Sequence, residues 1–262
     1  MKKKFRTKKS LGQHLLIAKG VIEKIVDYIQ PEGEIIVEIG VGTGQLTEAI
    51  LQRNPKILYG IEIDETAYPI IEERLGKYEN FVLIKKDYFD VNIRELVNNE
   101  KFKLVGNLPY NVASLIIIDS VNYIDILKYS IFMVQKEVAE KLISKPKKKS
   151  YTFMTVYIQT FFEVEYLMSV PPRFFSPPPK VVSAVVKLTP RENPPIPLEE
   201  AKEYKGFISK LFSNKRKMLR TKIDKEILEK AGIKETLRVD ELNLEDFIKL
   251  YKTYKDIEKK DN

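Results

Sequence analysis

The stretch Ile35-Ile-Val-Glu-Ile-Gly-Val-Gly-Thr-Gly44 decides the fold of this chain. Its first five residues form a short apolar run typical of a buried strand, and three closely spaced glycines follow. Glycine lets the backbone turn sharply and approach a ligand closely. A dinucleotide fingerprint needs its third Gly or Ala one position later, where this chain has Gln45. The spacing therefore favours a turn that packs against an uncharged nucleoside with an amino-acid tail over one that holds a pyrophosphate.

Short apolar runs alternate with helical patterns from about residue 20 to residue 190. The predicted strands and examples of the helices between them are Ile35–Ile39, Gln45–Arg53, Ile57–Ile63, Glu65–Leu75, Phe81–Lys86, Leu104–Gly106 and Ser130–Val134. This alternation predicts an α/β fold, a mostly parallel sheet with helices on both faces. Two further runs, Glu163–Val170 and Val181–Leu188, leave no room for a helix between them, so we expect an antiparallel hairpin at the sheet edge.

A change in pattern near residue 190 predicts a second domain. Residues 189–198 contain four prolines and are typical of a linker. Only helical patterns follow it, at Glu199–Phe212, Lys215–Ile223, Lys225–Ala231 and Leu244–Lys255. We therefore predict an α/β domain over residues 1–190 and a small all-helical domain over residues 191–262.

The composition excludes several kinds of chemistry. The chain has 262 residues, no cysteine and a single histidine, His14. Thiol nucleophiles, disulfides and cysteine-bound zinc are therefore impossible, and we expect no Ser-His-Asp triad and no multi-histidine metal site. No apolar run reaches the roughly 18 residues of a membrane span, and the charged N-terminus lacks a secretory apolar segment. We therefore expect a cytoplasmic protein without a membrane partner.

Acidic residues after the next two strands complete a candidate cofactor site. Glu62 and Asp64 lie at the tip of the second strand, and either could accept hydrogen bonds from the two hydroxyls of a ribose, with Glu62 favoured. Asp87 follows the third strand and could accept a hydrogen bond from an adenine amino group. Ligands of open α/β sheets bind at the carboxyl edge of the strands, so we expect these acids to lie beside Gly40 and Gly42.

The fourth strand runs into Asn107-Leu-Pro-Tyr110, a segment suited to methylating an aromatic amine. The lone pair of adenine N6 is delocalised into the ring, which makes this amine a poor nucleophile. The Asn107 side-chain oxygen and the Leu108 carbonyl could accept its N–H bonds and stabilise the positive charge that develops on attack. Pro109 would fix the turn, and Tyr110 could stack on the base. A methyl donor that is already a sulfonium needs correct positioning and no metal.

A second aromatic residue and three basic clusters suggest a nucleic-acid substrate. Phe175, in a proline-rich loop, could stack on the other face of a flipped base. Basic residues are concentrated at residues 1–9, in the KPKKK run at 145–149, and at 210–222, which we interpret as a basic helix. The net charge is +8, which favours a polyanionic partner. The candidate RNA-binding residues are Lys147, Lys148, Lys149, Lys215, Arg216, Lys217 and Arg220. The sequence leaves open whether the clusters share one face.

Together these segments resemble the KsgA-type small-subunit rRNA adenine dimethyltransferases, within the wider rRNA adenine N6-methyltransferase superfamily. The matching runs are 9–16, 38–44, 61–64, 87, 107–110, 135–140, 175–181 and 215–220. The resemblance implies a Rossmann-like S-adenosylmethionine methyltransferase sheet. It also implies dimethylation of two adjacent adenosines in the 3′-terminal hairpin of small-subunit (16S) rRNA, by a protein expected to be a monomer.

The resemblance further implies roles for residues near the N-terminus. Gln13, His14 and Leu16 would close over the methionine end of the cofactor. Asn107 would also lie near the cofactor and help to bind it. The chain departs from the family pattern at His14, where Asn is usual, and at Val182, where Asp is usual.

Three alternative functions stay open from the sequence alone. The first is a large-subunit rRNA adenine methyltransferase, although the Phe-Ser-Pro-Pro-Pro-Lys run is closer to the small-subunit type. The second is a ribosome-assembly or RNA-binding factor with secondary catalysis, against which the intact Asn107–Tyr110 and Glu62 argue. The third is a small-molecule methyltransferase, which the basic charge and the helical segment after the linker disfavour.

Overall fold

The computed structural model of this protein describes residues 14–261. The predictions for the basic arm at residues 1–9 and for Gln13 lie outside the described residues. The described chain divides into two compact units. The sheet unit comprises residues 14–116, 123–139 and 165–190, and the helical unit comprises residues 117–122, 140–164 and 191–261.

A seven-stranded sheet organises the sheet unit. The nine strands of the described chain are β1 (Leu15–Leu16), β2 (Ile35–Ile39), β3 (Ile57–Ile61), β4 (Phe81–Ile84), β5 (Phe102–Asn107), β6 (Leu127–Gln135), β7 (Phe162–Val170), β8 (Phe175–Ser176) and β9 (Ser183–Pro190). The large sheet has the order β4-β3-β2-β5-β6-β9-β7. The five strands β2, β3, β4, β5 and β6 are parallel to one another, and β9 runs antiparallel to β6. The predicted parallel sheet with an antiparallel edge hairpin is confirmed.

Helices cover the sheet because its central strands are apolar on both faces. The ten α-helices of the described chain are α1 (Lys19–Ile29), α2 (Gln45–Leu51), α3 (Tyr68–Leu75), α4 (Ile93–Leu96), α5 (Ala113–Asp119), α6 (Lys136–Leu142), α7 (Phe153–Phe161), α8 (Ala201–Phe212), α9 (Lys225–Ala231) and α10 (Leu244–Asp261). All five residues of β2 are buried. Ile36 packs in one core with apolar residues of α1, α2 and α3, and the neighbouring Val37 points to the opposite, equally buried face.

Hydrogen bonds beyond the strand ends bring the site loops to one edge of the sheet. The Gly40 amide donates to the Ile61 carbonyl at 2.9 Å, and the Glu62 amide donates to the Ile84 carbonyl at 3.0 Å. The Leu108 amide donates in the same way to the Met133 carbonyl at 3.0 Å. The loops after β2, β3 and β5 therefore start from one continuous carboxyl edge.

Several observed elements differ in length from the predicted ones, and others were not predicted. Strands β3 and β4 each end two residues earlier than predicted, which places Glu62 and Asp64 in the turn after the strand. The helices α6 and α7 were not predicted, and β7 begins directly after α7 without a loop. In the predicted linker, β9 extends through Pro190, and an irregular segment continues to a 3-10 turn at Leu198–Glu200.

The predicted helix Lys215–Ile223 is wrong. Within these residues the structure has turns and one 3-10 helix, Leu219–Thr221. The backbone instead pairs with a later segment, since Met218 forms a β-bridge with Arg238 and the Leu219 amide donates to the Leu237 carbonyl at 2.8 Å. These long-range bonds replace the local bonds that a helix would need.

The helical unit packs around a buried aromatic core. Tyr204 of α8 and Tyr251 of α10 lie 5.1 Å apart in an edge-to-face arrangement, and the Tyr204 hydroxyl contacts the Thr160 hydroxyl at 3.1 Å. Residues 140–164 belong to this unit along with the segment after the linker. The functional boundary near residue 190 stays a prediction. Among the described residues, no helix combines the length and the hydropathy required to cross a bilayer.

Candidate active site

A tight glycine turn after β2 forms the floor of a pocket in the sheet unit. Gly40 and Gly42 line this pocket and have φ angles of 77° and 59°, values that side-chain-bearing residues rarely adopt. A Cβ atom added at Gly42 would lie 2.9 Å from the Leu15 side chain. The turn therefore needs glycine both for its conformation and for the close approach of the residues that precede α1.

Glu62 holds the glycine turn and also lines the pocket. One of its oxygens accepts the Gly42 amide at 2.8 Å, and the other accepts the Asp64 amide at 2.8 Å. The side chain is nearly buried, and this burial raises the pKa of the Glu62 carboxyl, although the two backbone hydrogen bonds oppose the shift. A carboxylate has further lone pairs, so Glu62 can still accept a bond from a ligand hydroxyl.

The structure separates the two candidates for the ribose contact. Asp64 is buried outside the pocket lining, and its Oδ1 accepts the Thr66 amide at 3.1 Å and the Thr66 hydroxyl at 2.8 Å. Asp87 lines the pocket, and its Oδ1 caps the following turn by accepting the Phe89 amide at 3.0 Å. Of Glu62 and Asp64, only Glu62 lines the pocket, where a ligand can reach it.

Apolar side chains form the remaining walls around these carboxylates. Ile63 and Phe89 line the pocket and are 48% and 49% exposed, which is unusual for large apolar residues. Leu108 also lines it. Exposed apolar surface beside two carboxylates matches a ligand with a flat base, ribose hydroxyls and an amino group. The residues present therefore fit S-adenosylmethionine.

Asn107 and Leu108 both line this pocket. The Asn107 side-chain nitrogen donates to the His14 carbonyl at 2.8 Å. This bond orients the amide, and the Asn107 Oδ1 is its acceptor atom. Within residues 14–261, no backbone amide donates to the Leu108 carbonyl. The two residues predicted to supply the acceptors therefore line one cavity with the glycine turn.

Contacts from two distant segments hold Tyr110. Its hydroxyl lies 2.6 Å from the Ser183 hydroxyl, and its ring centroid lies 5.4 Å from that of His14. The Nδ1 atom of His14 hydrogen-bonds the Pro177 carbonyl at 2.9 Å. His14 lines the pocket, and it also links the start of the described chain to the proline loop.

Two predicted site residues lie in the core instead. Leu16 and Phe175 pair in the small β1–β8 ladder and are 6% and 3% exposed. Neither lines the pocket, because this ladder turns both side chains into the core that α1 and α2 share with the sheet. The neighbouring Leu15 lines the pocket in place of Leu16.

Glu38 lies under the glycine turn in β2. Its side chain is 1% exposed, and burial together with the nearby charge of Glu62 raises the pKa of the Glu38 carboxyl to about 8, an effect that Thr47 partly offsets. Glu38 does not line the pocket. It is therefore a largely protonated, structural carboxyl at neutral pH.

The candidate RNA-binding residues lie in the helical unit, and two of the basic clusters touch. Lys215 donates from Nζ to the Tyr151 carbonyl at 2.8 Å and lies 3.6 Å from a carboxylate oxygen of Asp240. The Lys147 amide donates to the Asp240 carbonyl at 2.7 Å. Lys215 thus fastens the basic loop to the segment after α8. The side chains that remain exposed are Lys147, Lys148, Lys149, Arg216, Lys217 and Arg220.

Sequence reasoning missed several residues that line the pocket. Ile63, Phe89 and Asn111 each lie within two positions of a predicted site residue in the chain. Phe89 had a usable signal, an aromatic residue two positions after the acid at the third strand end. Ser183, which contacts Tyr110 beside the pocket, had no signal in the sequence, because only the pairing of β9 with β6 brings it to Tyr110.

Comparison with protein families and solved structures agrees with this geometry. The family described as ribosomal RNA adenine dimethylase matches residues 4–256. The chain is 62% identical to the "Ribosomal RNA small subunit methyltransferase A" of Persephonella marina over 94% of this chain and 93% of that protein. It is also 62% identical to the protein of the same name from a Sulfurihydrogenibium species, over 95% of this chain and 96% of that protein.

A solved structure shares the fold over nearly the whole chain. The crystal structure of a dimethyladenosine transferase from Plasmodium falciparum superposes with a TM-score of 0.78 at 25% sequence identity. The match covers 93% of this chain and 98% of the parasite protein.

Proposed function

The chain belongs to the ribosomal RNA adenine dimethylase family, and from this premise we propose that its pocket methylates small-subunit rRNA. It transfers methyl groups from S-adenosylmethionine to N6 of two adjacent adenosines in the 3′-terminal hairpin, and the product is N6,N6-dimethyladenosine. The observation that carries the proposal is the convergence of Asn107–Tyr110, the glycine turn and Glu62 on one pocket. The relatives at 62% identity are named for the small subunit, which favours this substrate over large-subunit rRNA.

The cofactor end of the pocket binds through shape and hydrogen bonds. Glu62 accepts the ribose hydroxyls, Asp87 accepts the adenine amino group, and the apolar walls at Ile63 and Phe89 enclose the base. Gly40 and Gly42 allow the backbone to approach the amino-acid tail. S-adenosylmethionine supplies, when bound, a methyl group on a positively charged sulfur. The protein's task is then to orient the acceptor amine.

Asn107 and Leu108 orient and activate that amine. In the first transfer the Asn107 Oδ1 and the Leu108 carbonyl accept hydrogen bonds from its two N–H groups, so the nitrogen lone pair points away from both acceptors, and in the second transfer one of them accepts the single N–H that remains. Each transfer forms one N–C bond, releases one proton from nitrogen to solvent and leaves S-adenosylhomocysteine. As the amine attacks, positive charge develops on nitrogen, and the two fixed dipoles stabilise it more than they stabilise the neutral ground state. Tyr110 stacks on the adenine ring and limits its tilt.

The exposed basic residues of the helical unit bind the rRNA backbone. Lysine and arginine side chains contact phosphates and release counterions, which provides affinity without reading sequence. In this proposal Lys147, Lys148, Lys149, Arg216, Lys217 and Arg220 make such contacts, and Lys215 holds the loop that carries the first three. The protein acts in the cytoplasm as a monomer on pre-small ribosomal subunits, and residues 1–190 form its methyltransferase domain.

Methyl transfer to intact subunits tests the proposal. Labelled S-adenosylmethionine is incubated with small subunits from a strain that lacks these methyl groups, with large subunits in parallel, and the rRNA is digested to nucleosides. We expect labelled N6,N6-dimethyladenosine from the small subunit alone. Label in the large subunit, or none in either, would contradict the proposed function.

A further inference from the structure

Ser183, the first residue of β9, has a role at the site that the sequence did not suggest. The residue is fully buried, and its hydroxyl lies 2.6 Å from that of Tyr110. Tyr110 belongs to the loop after β5, so the contact joins segments 73 residues apart in the chain. A hydrogen bond at the tip of the phenol restrains both side-chain torsions of the tyrosine, because the tip lies far from the backbone.

The sheet fixes the position of the Ser183 hydroxyl. Ser183 pairs with Gln135 at the end of β6, and the Lys136 amide donates to the Val182 carbonyl at 2.9 Å. β6 also pairs with β5, where Met133 lies opposite Asn107. One rigid group of three strands therefore carries both the amine acceptor Asn107 and the anchor of the Tyr110 ring.

The Tyr110 ring also contacts the His14 ring. The His14 ring lies 5.4 Å away at an interplanar angle of 33°, a tilted contact that permits rotation. Burial raises the pKa of the Tyr110 phenol, and the bond from Ser183 only partly opposes this. The phenol is thus neutral at physiological pH and can exchange a hydrogen bond with the serine.

We propose that Ser183 is a positioning residue that fixes the plane of the Tyr110 ring against the target base. The inference rests on the proposed function, in which Tyr110 stacks on the adenine that is methylated. Without the serine hydroxyl the ring would sample other orientations, and the base would occupy the attack geometry for a smaller fraction of the time.

Single-turnover methylation at saturating donor and small subunits tests this role. Ser183→Ala and Tyr110→Phe each remove one partner of the same bond, and we expect each to lower the rate about 3- to 10-fold, the value of one neutral hydrogen bond. The double variant should lose no more than the worse single variant. Ser130→Ala is the matched control: Ser130 is equally buried in β6, and its hydroxyl has no hydrogen-bond partner among the described residues. It should keep the wild-type rate.

Two kinetic outcomes would overturn the inference. One is a wild-type rate for Ser183→Ala, and the other is a double variant whose loss equals the product of the two single losses. A wild-type protein that fails to methylate small subunits would instead remove the proposed function.

A spectroscopic measurement decides the Ser183 contact independently of activity. The chain has 14 tyrosines, so ¹³Cζ-labelled tyrosine gives at most 14 resonances, and the one absent in Tyr110→Phe belongs to Tyr110. We expect Ser183→Ala to shift or broaden this resonance and Ser130→Ala to leave it unchanged. An unchanged Tyr110 resonance in Ser183→Ala would overturn the inference, even if the variant loses activity.

Discussion

Asn107 shows how a single side chain serves both the fold and the reaction. Its Nδ2 atom donates to the His14 carbonyl, so the orientation of the amide is fixed before any substrate binds. Its Oδ1 is then aimed without a further loss of rotamer freedom. Preorganised hydrogen-bonding groups of this kind are usually the largest single contribution to catalysis.

Asn107→Ala should therefore lower the single-turnover rate by roughly 10²- to 10³-fold at saturating donor, the scale for one lost preorganised partner. RNA affinity should change little, because phosphate contacts dominate it. Quench-flow methylation and filter binding measure the two quantities. The control is Asn80→Ala, since Asn80 donates a similar amide hydrogen bond to Pro55 at 2.8 Å, away from the pocket. A fully active Asn107→Ala would show that the catalytic assignment is wrong.

Glu62 is likewise both a support of the glycine turn and a ligand for the cofactor in our proposal. Glu62→Gln removes the charge, and its NH₂ group cannot accept one of the two backbone amides that the Glu62 oxygens accept. We therefore expect S-adenosylmethionine affinity to fall by at least about 1.5–3 kcal/mol, the value of a lost charge-assisted hydrogen bond. Isothermal titration calorimetry measures this change. Asp64→Asn is the matched control, because Asp64 is just as buried but does not line the pocket. Equal affinity losses in the two variants would indicate a general disturbance of the turn.

Among the elements, strand β2 is buried on both faces, and this burial determines the state of its carboxyl group. A strand of this kind has no solvent-exposed position, so its single carboxyl, Glu38, must be buried as well. The folded protein keeps the Glu38 proton up to about pH 8, and the unfolded chain releases it near 4.5. Stability must therefore fall as pH rises through that interval.

Glu38→Gln should remove most of this fall, on the order of 3–5 kcal/mol between pH 5 and pH 8.5. Urea unfolding at the two pH values measures it. Glu34→Gln provides a control: burial acts to raise the pKa of Glu34, but Lys128 and Lys103 outweigh it and lower that pKa below 4.5. The stability that ionised Glu34 contributes is fully present above pH 5. Glu34→Gln should therefore lower the free energy of unfolding by a similar amount at both pH values. The prediction fails if Glu38→Gln and the wild type show the same pH dependence.

At the scale of the whole molecule, the net charge of +8 is less informative than the partners of each basic residue. Lys215 is engaged with backbone carbonyls, whereas Arg216 and Lys217 are exposed. Lys225 and Lys230 of α9 pair with Glu229 and Glu226 one helical turn away. These differences predict which basic residues contribute to RNA binding.

Neutralising Arg216 and Lys217 together, as Arg216→Gln and Lys217→Gln, should reduce the slope of log affinity against log salt by about 1.4–1.8, or 0.7–0.9 for each phosphate contact. Fluorescence anisotropy with the small-subunit hairpin RNA at several salt concentrations measures the slope. The double variant Lys225→Gln and Lys230→Gln removes the same charge and should leave the slope nearly unchanged. Equal changes in both would mean that net charge alone drives binding.

Local sequence patterns were sufficient to predict the features that residues close together in the chain encode. The apolar run of β2, the glycine spacing after it and the Asn-Leu-Pro-Tyr segment lie within a few residues of one another, so β2 was predicted with its observed bounds and the pocket with most of its polar residues. The helices α8 and α9 followed from their periodicity for the same reason. The basic segment at 215–223 misled this reasoning, because its charges fit a helix while its backbone pairs with residues near 237.

Only the tertiary structure decided which side chains reach the pocket. Leu15 and Leu16 are chemically alike neighbours, and the β1–β8 ladder turns one toward the glycine turn and the other into the core. The same ladder buries Phe175, and the β6–β9 pairing delivers the Ser183 hydroxyl to Tyr110. Each outcome depends on strand register, and a shift of one residue reverses the face that a side chain occupies. Register is set by contacts between segments far apart in the chain, which no local pattern contains.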